Sequence, residues 1–175
     1  MVFTPNTSGR SRNAIQRALT AELIKRHATL AVAESCTAGG LGAALTSRAG
    51  SSAYFLGGVI VYADELKRHL LRVPAALLQR YGAVSEPVAR RMALQVRRLL
   101  GATYGVSITG IAGPGGGSSR KPVGTVWVAV ATPDTVAVRC CRLHGTRAAV
   151  RRQAVHAALT LAFATITVSP ARRSA

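Results

Sequence analysis

Two hydrophobic periods alternate along this chain, and that alternation constrains its fold more than any other feature. Ile15, Leu19, Leu23 and Ile24 recur at helical spacing, and Thr29 to Ala33 then forms a short apolar run, so the chain opens helix then strand. A short helix of small residues follows, ending at Gly50; Tyr54 to Tyr62, with its β-branched cluster Val59, Ile60 and Val61, reads as a second strand. Asp64 to Leu71 is a helix stopped before Pro74, and further helices are expected over 74–81 and 86–100. Ser85 is the natural N-cap of the latter, with Val88, Met92, Val96 and Leu99 on its buried face and its arginine pairs turned to solvent. Tyr104 to Thr109, Gly124 to Ala131 and Thr135 to Leu143 complete the strands, the last two joined by a turn at Pro133 and Asp134. The last helix opens at the N-cap Thr146 and buries Val150, Ala154, Val155, Ala158, Leu159 and Ala162.

Helices alternating with strands, and a strand pair near the end, predict a single three-layer α/β domain with a mixed, mostly parallel sheet flanked by helices. Neither an internal repeat nor a linker divides it. The domain is expected over residues 13–167, between disordered tails at 1–12 and 168–175.

Charge narrows the function less than it first promises. With 23 Lys and Arg against 6 Asp and Glu, the net charge is +17, a general pull on anions. The arginines come as scattered pairs, Arg90/Arg91, Arg97/Arg98, Arg151/Arg152 and Arg172/Arg173, and no basic arm or aromatic stripe accompanies them. Nucleic acid is therefore expected only as a weak electrostatic partner. The three cysteines, Cys36, Cys140 and Cys141, make a poor disulfide framework and fit a reducing, cytoplasmic setting. The N-terminus has no secretory h-region. The uncharged stretch from Gln153 to Ala171 is interrupted by Gln153, His156, three threonines and Pro170, so it reads as a buried helix and no membrane span is expected.

In open α/β sheets ligands bind where strands end and loops begin. Two glycine-rich segments, 34–40 and 110–117, directly follow predicted strands and are the first candidates for one shared site. The turn Glu34-Ser35-Cys36-Thr37-Ala38-Gly39-Gly40 puts small nucleophilic or hydrogen-bonding side chains before a helix N-terminus, where free N–H groups favour an oxyanion or a phosphate. The same residues could simply cap the helix and fill the turn. Tyr62 and Lys67 bring a phenol and an amine to a strand-to-helix junction; a buried lysine can take a proton from Ser or Tyr, whereas a surface lysine has no such role. No histidine adjoins a glycine-turn serine, so a His-based triad is not favoured.

The glycine loop at 110–117 lets a backbone approach a ligand closely, yet it has no Walker pattern and no dinucleotide fingerprint. Six acids, isolated histidines and no CxxC predict neither a metal site nor a cofactor. Arg147, just inside the last helix, could meet a phosphate with its guanidinium and the helix N-terminus together, or be one surface arginine among many.

The segments AESCTAG, GSSAYFLGGVIVY, a lysine five residues beyond that tyrosine, GAVSEPVA, TGIAGPGGG, KPVGTVWVA and G-x-R-x-x-x-R occur in one order. Together they resemble the C-terminal domain of the competence/damage-inducible protein CinA, a family that includes stand-alone nicotinamide-nucleotide amidohydrolases. The resemblance spans roughly residues 13–165, without the molybdopterin-binding-like domain of full-length CinA. It implies metal-independent hydrolysis of the carboxamide of nicotinamide mononucleotide to nicotinate mononucleotide and ammonia, with Ser35 as nucleophile and Tyr62 and Lys67 as its helpers. Lys67, kept neutral by burial, would deprotonate Ser35 directly or through Tyr62, and N–H groups near Thr37 to Gly39 would hold the oxyanion. The remaining substrate contacts would come from Glu34, Cys36, Thr37, Gly39, Thr109, Gly110, Gly113, Gly116 and Arg147, the glycine loop and Arg147 taking the ribose-phosphate end. Related small amides are the alternative substrates, and a non-catalytic, competence-linked nucleic-acid binder with the same fold is the alternative class. The family's second motif usually reads Tyr-Ser-Asn-Glu-Ala-Lys; Ala63, Asp64 and Leu66 depart from it here, as Gly115 does where the glycine loop commonly has Asp. Apolar faces on the terminal helices suggest a homo-oligomer.

Overall fold

The computed structural model describes residues 11–170. The elements run α1 (Arg12–Lys25), β1 (Leu30–Glu34), α2 (Gly40–Thr46), a single 3-10 turn (Ser51–Ala53), β2 (Phe55–Ile60), α3 (Asp64–Leu71), α4 (Ala75–Tyr81) and α5 (Glu86–Leu99). Strands β3 (Tyr104–Gly110), β4 (Thr125–Ala131) and β5 (Val136–Arg142) follow, and α6 (Arg147–Val168) closes the domain.

The strand order is β2-β1-β3-β4-β5. β1 pairs in parallel with both β2 and β3, while β4 runs antiparallel to β3 and to β5, so β4 alone is reversed. All five residues of β1 are buried, as a central strand covered on both faces requires. On one face Val32, Val106, Ile108, Val128 and Val130 pack with Leu19 and Leu23 of α1 and Leu159 and Ala162 of α6. On the other, Ala31 and Ala33 meet Val88, Met92 and Val96 of α5, and Ala129 and Ala131 of β4 meet its Ala89 and Ala93. Small residues here let α5 lie almost on the sheet: a Cβ at Gly105 would run into the Ala93 carbonyl.

Several boundaries move from their expected places. Arg12 is already helical and Ser11 caps it by accepting from the Ala14 N–H, and Val168 is the last residue of α6. The remainder of the predicted tails, 1–10 and 171–175, lies outside the described residues. Ile24 and Leu99 are not part of the buried stripes, being 51% and 53% exposed at the last turns of their helices. The α5 arginines are only partly solvent-facing. Arg91 donates to the Arg72 carbonyl, Arg97 to the Thr103 carbonyl and Arg90 to the Val136 carbonyl, long side chains lying along the surface with their heads tied down. The apolar stripes of α1 and α6 pack together within the core. No helix among the described residues is long and apolar enough to cross a membrane.

Candidate active site

Three chain segments reach the carboxyl ends of the parallel strands together: the turn after β1, the junction after β2 and the loop after β3. Their junction encloses a cavity of about 260 Å³. Ser35 and Cys36 line it from the first segment, Tyr62, Asp64 and Lys67 from the second, and Thr109, Gly110, Gly113, Gly115 and Gly116 from the third. Arg147, the first residue of α6, closes the remaining side, and Ala83 and Val84 form the wall before α5.

The turn after β1 is held by its own backbone. Ser35 N–H donates to the Ile108 carbonyl, Ala38 N–H to the Ser35 carbonyl and Gly40 N–H to the Thr37 carbonyl. Ala38 and Gly39 both take positive φ, 47° and 90°, which reverses the chain in the few residues before α2. The hydroxyl of Ser35, whose residue is 8% exposed, has no hydrogen-bond partner among the described residues. Its neighbour Cys36 is no rival nucleophile: burial, with a lesser push from Glu34, raises the thiol to about 11, so the thiolate is scarce at neutral pH.

Lys67 is 1% exposed and sits on the inner side of α3. Its Nζ donates to the Tyr62 carbonyl at 2.9 Å and to Asp64 Oδ1 at 3.1 Å, the latter an ion pair one helical turn away. The resemblance implies a lysine kept neutral by burial; here the buried amine also faces a carboxylate, because Asp64 stands one turn before it on the same helix face. The Tyr62 hydroxyl oxygen accepts from an Arg147 guanidinium N–H at 2.8 Å, and the same guanidinium donates to the Gly113 carbonyl at 2.7 Å. Arg147 thereby straps the glycine loop to the β2 junction. Thr109 completes the frame by donating to the Ala83 carbonyl at 3.0 Å. Gly115 and Gly116 line the cavity, and their backbone N–H groups have no hydrogen-bond partner among the described residues.

Three expected site residues lie elsewhere. Glu34, 1% exposed, accepts from Leu41 N–H at 3.0 Å and Gly42 N–H at 2.8 Å, so its carboxylate fills the start of α2 that was expected to hold an oxyanion or phosphate. Glu34 and Gly39 line a separate small cavity against β2, beside Phe55 and Ile60. Thr37 faces a third cavity, beside Arg151. The oxyanion donors predicted over Thr37 to Gly39 are weakened accordingly, since the Ala38 N–H is spent on the Ser35 carbonyl. Gly115, within the expected glycine loop, also lines the pocket. Asp64, Ala83 and Val84 line it too and are not among the expected site residues. No three His, Cys, Asp or Glu side chains cluster as a metal site would require, among the described residues.

This fold and pocket define a three-layer α/β domain of the class that takes small ligands at the carboxyl ends of its strands. Residues 12–166 match the CinA C-terminal domain, and the chain belongs to that family. It is 61% identical over 113 residues to a CinA-like protein of Synechococcus sp. (strain RCC307), covering 65% of this chain and 27% of that one. A CinA-like protein of Anaeromyxobacter dehalogenans is 47% identical over 160 residues, 91% of this chain and 39% of that one. The chain thus spans only about a third of the length of these curated relatives. Among solved structures it resembles the competence damage-inducible protein A (ComA) of Klebsiella pneumoniae, with a TM-score of 0.88 and 32% identity over 92% of this chain and 100% of that one. The competence/damage inducible protein CihA of Agrobacterium tumefaciens gives 0.85 and 34%, over 91% and 97%.

Proposed function

We propose that this chain hydrolyses the carboxamide of nicotinamide mononucleotide to nicotinate mononucleotide and ammonia, with Ser35 as nucleophile and Lys67 as the group that carries its proton. The observation that supports this most directly is an uncommitted serine hydroxyl lining the same pocket as a buried lysine, next to a cysteine too buried to compete.

Lys67 has two bonds fixed, to the Tyr62 carbonyl and to Asp64. As a neutral amine it spends its two N–H groups there and keeps a lone pair; as an ammonium it gains a third N–H. In the first step Ser35 Oγ forms a bond to the amide carbon while its proton passes to the Lys67 nitrogen. The tetrahedral oxyanion then collapses, the C–N bond breaks, and the departing nitrogen takes that proton and leaves as ammonia. Water next attacks the acyl carbon, giving a proton to Lys67. The Oγ–C bond breaks, the proton returns to Ser35, and the acid leaves and gives up its own proton to the ammonia already released, ending as a carboxylate.

Arg147 and the N–H groups of Gly115 and Gly116 are the groups suited to the anionic end of the substrate. Tyr62, already holding Arg147, is the positioning residue of that end. The test is ammonia release from nicotinamide mononucleotide in EDTA, beside Ser35→Ala and with nicotinamide and nicotinamide riboside as controls. Turnover that needs both Ser35 and the 5′-phosphate is expected. Release no faster than background overturns the reading, and faster turnover of a phosphate-free amide moves it to another small amide.

A further inference from the structure

The second arginine of the G-x-R-x-x-x-R segment has no part in the chemistry above. Arg151 lies one turn beyond Arg147 on α6, and its guanidinium donates at 2.8 Å to the Thr37 carbonyl, on the far side of the turn that carries Ser35. It lines a cavity of about 250 Å³ with Arg12 at the start of α1 and Arg152, and this cavity shares no lining residue with the catalytic pocket.

Three arginines line it, with no carboxylate among the described residues of the lining. The chain has only six acids, and the structure accounts for them elsewhere. Glu22, Asp64 and Glu86 are paired to Arg26, Lys67 and Arg90, and Glu34 is spent on α2. Glu65 belongs to α3 and Asp134 to the β4–β5 turn, neither of them in this lining. Arg151 has used one of its five N–H donors on Thr37, so most of its fork is open to a ligand. The wall at α2 is low because Gly40 stands there; a side chain would press on Val155 of α6.

We infer that the Arg12/Arg151/Arg152 cavity is a second anion site, built for a small phosphate-bearing ligand and joined to the catalytic turn through the Arg151–Thr37 bond. Concave, multiply cationic and uncompensated sites select phosphoryl groups, whose oxygens the planar guanidinium meets in pairs. Pyrophosphate, which offers several negative charges in a compact body, is the probe.

The test is calorimetric titration of pyrophosphate into the full chain at low ionic strength with EDTA, a readout that needs no turnover and so stands or falls apart from the amidase reading. Arg12 and Arg152 are exposed, so the double variant Arg12→Gln/Arg152→Gln should fold, with its melting curve as the check. It is expected to bind about tenfold or more weakly than the natural chain, while Arg147→Gln, altered in the other pocket, keeps the site. Absence of binding to the natural chain overturns the proposal. So does a double variant of undiminished affinity, or a loss in Arg147→Gln as large as in the double variant. A single-stranded oligonucleotide that depends on Arg12 and Arg152 where pyrophosphate does not would also overturn it, in favour of a nucleic-acid surface.

Discussion

Glu34 and Lys67 are the two charged side chains buried deepest in this domain, each 1% exposed, and they stand within one strand-end of each other in the fold. One is structural and the other is available. Both oxygens of Glu34 are engaged by backbone N–H groups of α2, and the residue lines a cavity other than the candidate active-site pocket. Lys67 has two partners, one valence left over and a face on the pocket that holds Ser35. Burial of a charge therefore does not by itself mark chemistry; the valence left after the internal partners are counted does.

Breaking each side of that comparison should separate activity from stability. Lys67→Met keeps the volume of the side chain and frees Asp64, whose side chain is 58% exposed and can take water. Turnover of nicotinamide mononucleotide is expected to fall by about a thousandfold or more, with a melting temperature close to the natural chain's. Glu34→Ala should do the reverse. It leaves the Leu41 and Gly42 N–H groups without their acceptor in a closed part of the fold, costing about 2 kcal/mol of stability, read as a lower urea midpoint at unchanged slope. The folded fraction should keep far more activity than Lys67→Met. If Glu34→Ala abolished turnover while the midpoint held, Glu34 would belong with Lys67 and the distinction would collapse.

Asp64→Asn sharpens the same contrast at smaller amplitude. Asparagine retains an oxygen for Lys67 Nζ but removes the charge that faces it, and the pair is half in solvent, where ion pairs contribute little to stability. The urea midpoint should barely move, while turnover drops about tenfold. A stability loss with full activity would make Asp64 a helix-start residue and nothing more.

Much of this was legible in the sequence because it depends on local pattern. Asp64–Leu71 matches its predicted helix end to end, and Thr146 caps α6 as expected, its hydroxyl accepting from the Ala149 N–H. Nine of the twelve residues expected from the resemblance, Ser35, Cys36, Tyr62, Lys67, Thr109, Gly110, Gly113, Gly116 and Arg147, line one pocket. What was not legible is how one seven-residue turn divides among three cavities. That depends on Ala38 entering the left-handed region, which an alanine does not advertise, and on Glu34 turning back to cap α2. Ala83 was invisible for another reason: it serves Thr109 with a backbone carbonyl, and side-chain chemistry carries no trace of that.

The smallest effects should come from the thiols, and they test whether Cys36 is as inert as its burial says. Burial is the main cause that raises Cys36 and Cys141 from the ordinary 9.0 to about 11. Between those values the folded chain still holds protons that the unfolded chain has released, so the unfolded state binds fewer protons and stability falls as pH rises. The contribution is whole below pH 9.0 and is lost progressively up to about 11, amounting to about 3 kcal/mol per thiol. Lysines and tyrosines titrate over the same range, so the useful quantity is the difference between the natural chain and Cys36→Ala. Urea midpoints taken across this window should fall less steeply in the variant, while its turnover at neutral pH stays within a small factor of the natural chain's. Equal slopes would mean that the fold does not raise the Cys36 thiol above its unfolded value, and a large loss of turnover would put Cys36, beside Ser35, among the reacting groups.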